Sequence, residues 1–436
     1  MKIKEGLHRF QQNKNIRYLI ELLIKTFSSE KWLLFIFHFY YFSVVFDSTT
    51  LVLDIPYFSL CLKLIRYACY FYIIFYLLTQ IIQNFFTLKY EKINQLIIYV
   101  LLIAFFILLL INAIITDNKT MFLSMIMMIG FSGIKKEDLY QWFYQNQIIA
   151  IAIVTTFAAF GIARDFFSWR DEIVRHALGF DYVTNLPQIL MFAILYKIAL
   201  DPAKVSKIQL CIFQMGIVFV YFLTDSRTEF LMSEFIIICA LVFPLLKYNV
   251  IKQIALFIEK VFVFCFPIYP IMSIILTYLY GAYSKNNMSA LGKMMVRLNE
   301  GLSNRLSQTW LNFFEDGVSF YGSSKPLIGY SAAEFDKYGE IPYSNFIDND
   351  YMNILFTKGI IIFIIIMIFI YLTVIFLYRK NKHIDLFVSF IILSFGLINP
   401  RIFSFEYSLF GIFMFTAVLN FYCESKYPLI GRMLNQ

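Results

Sequence analysis

Residues 164–187 read RDFFSWRDEIVRHALGFDYVTNLP, which sets Arg164, Arg170 and Arg175 close together with His176 beside them. An arginine side chain offers a planar fork of N–H donors that grips a phosphate or carboxylate with two parallel bonds. Two other stretches carry charge within apolar surroundings. FLTDSRTEFLMSEF, residues 222–235, places Asp225, Arg227 and Glu229 in a short connection. GLINPRIFSFEYSLF, residues 396–410, places Arg401 and Glu406 around a turn at Asn399-Pro400. Asp348 and Asp350 stand just before the apolar run that starts at Tyr351. Together these residue types suit the binding of an anion by arginine forks, with a carboxylate or imidazole at hand for proton transfer.

Each group also has a plainer reading. Asp171–Arg175 and Glu172–His176 are spaced i,i+4 and could pair along a helix. Asp225 could neutralise Arg227, and Arg401 could extend to a membrane interface. Asp348 and Asp350 could cap the helix that follows, or hold a divalent cation. The helix beginning at Thr228 offers free N–H groups beside Arg227, which favours an anion there.

The elements that position these residues are written in the composition. The 436 residues are 60% hydrophobic and 15% charged, with a mean hydropathy of +0.69. That excludes a soluble domain, whose surface needs far more polar cover. Apolar runs near the roughly 20 residues that cross a bilayer fall at 32–52, 67–87, 96–116, 120–134, 147–163, 182–200, 208–224, 228–246, 261–281, 351–378, 384–399 and 405–422. They predict an all-α polytopic membrane protein of about twelve crossings. The first run is too long and poorly flanked for a cleavable signal peptide. No glycine-rich phosphate loop is present, which argues against an ATP-driven pump. The cysteines stand singly in or beside apolar runs and read as small apolar fillers.

Lysine and arginine favour the segments that are cytoplasmic if both termini lie inside, which sets that orientation. Arg9, Arg17, Arg379 and Arg432 then fall inside, whereas Arg66, Arg164, Arg170, Arg175, Arg227, Arg297, Arg305 and Arg401 fall outside. An outer face rich in arginine points to an anionic ligand there. Phe166, Trp169, Ile173 and Ala177 fit one stripe of a helix, so an interfacial helix is expected over 164–179, ended by Gly179. The organisation is then membrane helices over 1–281, a long extracytoplasmic loop over 282–350 bearing surface helices, and further membrane helices and a cytoplasmic tail over 351–436.

Five segments in register resemble one family. They are RDEIVRHALGFDYVTN, LTDSRTEFL, LNEGLSNRLSQTWLNFFEDGVSFYGSSKPLIGYS, YSNFIDNDYMNILFTKGI and RIFSFEYSLF, and the resemblance runs from about residue 160 to 410. Their order and spacing are similar to Wzy-type polysaccharide polymerases of capsule and exopolysaccharide clusters, relatives of O-antigen polymerases and ligases. Where ligases and many polymerases show a His-Asn pair before the penultimate long helix, this chain has Asp348-Asn349-Asp350.

The resemblance implies a GT-C-like helical glycosyltransferase of the bacterial cytoplasmic membrane, with neither cofactor nor metal. It would join oligosaccharide repeat units carried on undecaprenyl pyrophosphate, moving the growing chain to the non-reducing end of the incoming unit. Arg164, Arg175, Arg227 and Arg401 are candidates to hold the donor pyrophosphate. His176, Asp181, Asp350 and Glu406 are candidates to activate the acceptor hydroxyl, and spacing does not choose among them. Arg170, Asn185, Arg305 and Tyr351 are candidates for further substrate contacts. Flippase and chain-length regulator proteins are the implied partners, and nucleic acid is not. A ligase of the same superfamily or a lipid-linked oligosaccharide transporter are the competing readings, although no internal repeat of the kind common in transporters is visible.

Overall fold

A computed structural model describes residues 30–87, 93–170, 172–202, 205–284, 289–325, 327–339 and 344–423. It is the fold of a helical membrane protein. In chain order the helices are α1 (Glu30–Asp47), α2 (Phe58–Thr87), α3 (Ile93–Ile115), α4 (Thr120–Phe131) and α5 (Lys136–Ala159). After a hairpin follow α6 (Asn185–Leu200), α7 (Lys207–Thr224), α8 (Arg227–Val242), α9 (Asn249–Cys265) and α10 (Ile268–Tyr283). The connection after α10 carries α11 (Ala290–Gly301), α12 (Arg305–Asp316) and α13 (Ala332–Tyr338). The chain closes with α14 (Asp350–Arg379), α15 (His383–Phe395) and α16 (Phe410–Cys423).

Each apolar run read from the sequence overlaps helix, but 261–281 runs across the break between α9 and α10, and 405–422 begins in irregular backbone before α16. Among the described residues four helices are both long and apolar enough to cross a bilayer alone, and the bent pair α9–α10, angled at 56°, makes a fifth. The bend falls at Phe266-Pro267, where proline removes a helical donor. α4, α6, α15 and α16 are shorter apolar helices.

α6 is buried on every side, from Asn185 to Ala199, and packs against α5, α7, α8 and α15. A helix apolar all round belongs at the centre of a bundle. Beside it Phe37, Phe131, Phe143 and Phe405 make edge-on and tilted ring contacts, with centroids 5.1 to 5.8 Å apart. These rings tie α1, α4 and α5 to the irregular segment 396–409. The backbone of that segment is satisfied by buried side chains: Tyr196 Oη donates to Tyr407 O at 2.7 Å and accepts from Leu409 N at 3.0 Å.

The helix expected over 164–179 is not there. Phe167–Arg170 (β1) and Ile173–His176 (β2) form an antiparallel hairpin with Ser168 opposite Arg175 and Phe167 opposite His176. So short a stretch also fits a period of two, and its aromatic and β-branched residues suit a strand. The pleat sends Arg175 and His176 to opposite faces. Asp171, expected to pair with Arg175, lies outside the described residues.

The long connection does carry helices: α11 and α12 pack on α10. It also invades α14, which breaks at Gly359 (φ 83°, ψ 170°). The break frees α14 backbone groups, and residues 319–323 take them up: Ile360 N donates to Ser319 O at 3.1 Å and Ser323 N to Phe356 O at 3.1 Å. Asn112 Nδ2 reaches both Tyr321 O (2.6 Å) and Lys358 O (3.2 Å). A Cβ at Gly359 would run into Gly322 N and Phe320 O. Its dihedral region is essentially closed to side-chain-bearing residues, at a cost of about 1–3 kcal/mol. Gly359→Ala is therefore expected to lower the melting temperature of the detergent-purified protein by several degrees or abolish folded yield. Unchanged melting would contradict the docking described.

Candidate functional site

Three connections meet around Asp181. Its N–H donates to Ser48 O (3.0 Å), and its carbonyl accepts from Ala332 N (2.8 Å). Thr50 reinforces the junction, its N–H donating to Gly179 O (3.0 Å) and its hydroxyl to Arg164 O (2.8 Å). Gly179 itself stands at φ +91°, packed against Val154 O, where a side chain would be strained. The Asp181 carboxylate accepts from Asn185 Nδ2 at 2.8 Å.

Asp181 lies where two cavities adjoin, and Ser48 and Phe346 share that boundary. The smaller, about 780 Å³, is lined by Arg170, Arg175, Arg227, Arg305 and Arg401. The larger, about 1020 Å³, is lined by Asp350, Glu406 and Lys358 among others.

The arginines of the smaller cavity are held differently. Arg401 Nε donates to Gln188 Oε1 (3.0 Å) and Nη2 to Asn185 Oδ1 (3.2 Å). Its guanidinium lies 4.6 Å from the Tyr407 ring centroid, and Nη1 is 3.9 Å from Glu406 Oε1. Gln188 and Asn399 in turn donate to the buried Glu229 at 3.0 and 3.2 Å. Arg170 donates to the Asp225 backbone carbonyl at 2.9 Å and to its carboxylate at 3.3 Å, and Arg227 reaches that carboxylate at 3.3 and 3.4 Å. Arg305 pairs with Asp348 at 2.8 Å.

Arg175 differs from these. It is 7% exposed; Nε donates to Thr224 O at 2.7 Å, and Nη2 is buried without a hydrogen-bond partner among the described residues. Burial, and then neighbouring Arg170, pull its guanidinium down to about 10, so it remains charged at neutral pH. Nη2 is thus a buried cationic nitrogen with its donors unmet, on a residue that lines the smaller cavity.

Thus the structure brings Arg170, Arg175, Arg227, Arg305, Arg401, Asn185 and Asp181 to one cavity, and Asp181, Asp350 and Glu406 to the other. It leaves three candidates out. Arg164 points to Asp336, in a two-pronged pair at 3.1 and 2.6 Å, and lines neither cavity. His176, on the opposite hairpin face from Arg175, bonds Asp165 at 2.7 Å. Tyr351 is fully buried, its hydroxyl donating to Leu393 O at 2.8 Å. Helical spacing would have set Arg164 with Arg175; the hairpin separates them.

Asp350 accepts from Ile402 N at 2.7 Å, which ties the start of α14 to the segment bearing Arg401. Asn349, rather than either aspartate, caps α14 through Met352 N at 3.1 Å. Asp348 and Asp350 line different cavities and form no pair. The Gln188–Glu229–Asn399 network had no role in the sequence reading. Its available signal was Asn185 and Gln188 at i,i+3, one face of the helix that starts just after Asp181.

No family model matches this chain, no curated protein matches it, and no solved structure matches it.

Withdrawal from water raises the Asp181 carboxyl to about 7, against the opposing pull of Arg401. An acid raised in the folded state is harmless while protonated in both states. Its ionisation penalises the fold progressively from pH 4 to 7 and fully above that. Asp181→Asn, which keeps an oxygen for Asn185, is thus expected to raise the melting temperature by about 2 °C or more at pH 8 and little at pH 4. Equal shifts at both would refute the burial argument.

Proposed function

We propose that the protein is a Wzy-type polysaccharide polymerase, with twelve crossings, a GT-C-like arrangement and both termini on the cytoplasmic side of a bacterial cytoplasmic membrane. The observation that carries this reading is the meeting of two cavities at Asp181, with Arg175 and Arg401 on one side. A polymerase has to bring two lipid-linked saccharides together at one reacting carbon. Two adjoining chambers with a carboxylate at their boundary suit that task, and the five family-like segments supply most of the smaller chamber's wall and part of the larger one's.

The donor's anomeric carbon carries the growing chain and is bonded to undecaprenyl pyrophosphate, which lies in the smaller cavity. The acceptor, an incoming repeat unit, enters through the larger one. Asp181 takes the proton of the acceptor hydroxyl, and that oxygen forms a bond to the anomeric carbon. The carbon–oxygen bond to the pyrophosphate breaks, and the pyrophosphate departs with the electron pair. Negative charge grows on the leaving group, where Arg175 Nη2 and the pinned Arg401 fork stabilise it; preorganised donors in a dry site are worth most at such a position. Of the four base candidates, His176 lies outside both cavities, and Asp350 and Glu406 line only the larger. Asp181 alone of the four borders both.

Arg175→Ala and Arg401→Ala are expected to cut polymer formation by about 100-fold or more, with Lys restoring little because it lacks the fork. Arg164→Ala should stay near wild type. Polymer profiles on gels from cells with matched protein levels measure this, and full-length polymer in both Arg175→Ala and Arg401→Ala would end the proposal. The base must be ionised, so the turnover of purified protein should fall as pH drops through about 7, the value set by burial of Asp181. A rate flat from pH 5 to 8 would remove Asp181 from that role. A deletion strain that accumulates carrier-linked single repeats supports polymerisation, whereas accumulated long carrier-linked polymer indicates ligation.

A further inference from the structure

Lys358 has no part in the reaction just described. It is 6% exposed, lies on α14 immediately before the Gly359 break, and lines the larger cavity. Its backbone carbonyl is taken by Asn112, but among the described residues its ammonium has no hydrogen bond or ion pair. The other cations of that cavity are accounted for. Arg66 pairs with Asp47 at 2.7 Å, Lys325 with Glu315, and Lys63 and Lys119 are exposed to solvent. A buried ammonium without a counter-charge is costly, and at membrane depth such residues mark functional cavities.

The chamber around it is of mixed charge. Asp350 and Glu406 lie in its wall, with Asn353, Thr357 and the Tyr40 and Tyr70 hydroxyls. The acceptor's own carrier diphosphate is at the end of the repeat unit opposite the reacting hydroxyl; beside Lys358 it would bring several negative charges against those carboxylates, whereas one acidic group is balanced by one ammonium. The carboxylates, amide and hydroxyls are the partners that sugar hydroxyls need. A volume near 1020 Å³ exceeds that of the arginine cavity and has room for several sugar rings.

We infer that the larger cavity receives an acidic acceptor oligosaccharide, Lys358 gripping a singly charged carboxylate or phosphodiester group while Asp350 and Glu406 engage neighbouring hydroxyls. This rests on the polymerase reading and adds the chemical class of the acceptor.

The test uses the producing strain. Its polymer is purified and its repeat unit determined by NMR and mass spectrometry; Lys358→Met and Lys358→Arg are introduced at the native locus, with protein levels matched by immunoblot. One acidic group in every repeat is expected, and its identity separates a uronate from a phosphodiester. Lys358→Met should lose about tenfold or more of the polymer, the worth of a charge-assisted bond, and accumulate single carrier-linked repeats; Lys358→Arg should recover part of it. A neutral repeat unit overturns the inference whatever the variants do. So does wild-type polymer from Lys358→Met. If Lys358→Met does not reach normal levels, the composition alone decides. Failure of the polymerase reading is distinct: there, deleting the whole gene leaves polymer unchanged.

Discussion

Away from water, a guanidinium and a stretch of irregular backbone both have to find partners inside the protein. Segment 396–409 joins these two demands. Its carbonyls and amides are met by Tyr41, Tyr196, Gln147 and Asp350, drawn from α1, α5, α6 and α14. Its one arginine, Arg401, is held by the first turns of α6 and by the ring of Tyr407. The helices therefore pack around a non-helical strip that they must satisfy. The position of Arg401 follows from that packing and does not depend on a flexible side chain finding its place.

A similar requirement locates Asp181. Its backbone is clamped between residue 48 and residue 332, so three connections distant in sequence have to close together before the carboxylate faces both cavities. The hairpin belongs to this closure. It lays Arg175 against the end of α7, where Thr224 O takes one guanidinium nitrogen and leaves another unmet. Asp225, left-handed at the end of α7, gathers Arg170 and Arg227 on the same side. The charges of the smaller cavity are thus largely compensated, and the part left over is small, directional and deep.

The break in α14 has an analogous effect on the larger cavity. A straight helix would have satisfied its own backbone, with no place for residues 319–323 in its side. Gly359 admits them, and the long connection then forms a wall of the cavity that Lys358 enters. Among the described residues Lys358 lines that cavity without an ion pair.

The apolar runs could be read directly, because a helix long enough to approach a bilayer's thickness carries its signal locally: it needs apolar side chains and supplies its own hydrogen bonds. The arginines, and the carboxylates worth examining, were also legible as residue types, since charge in an apolar chain stands out against its surroundings. The hairpin was not, because four-residue strands fit helical and alternating patterns equally well and the partners of its arginines, Thr224 and Asp225, lie some fifty residues onward. For the same reason the sequence could not separate Arg175 from Arg164, nor Asp181 from His176. In each pair the residue types are equally suited to the chemistry. Only the folded chain decides which is aimed into a cavity and which is already spent on a neighbouring charge, because that depends on contacts between segments with no local signature.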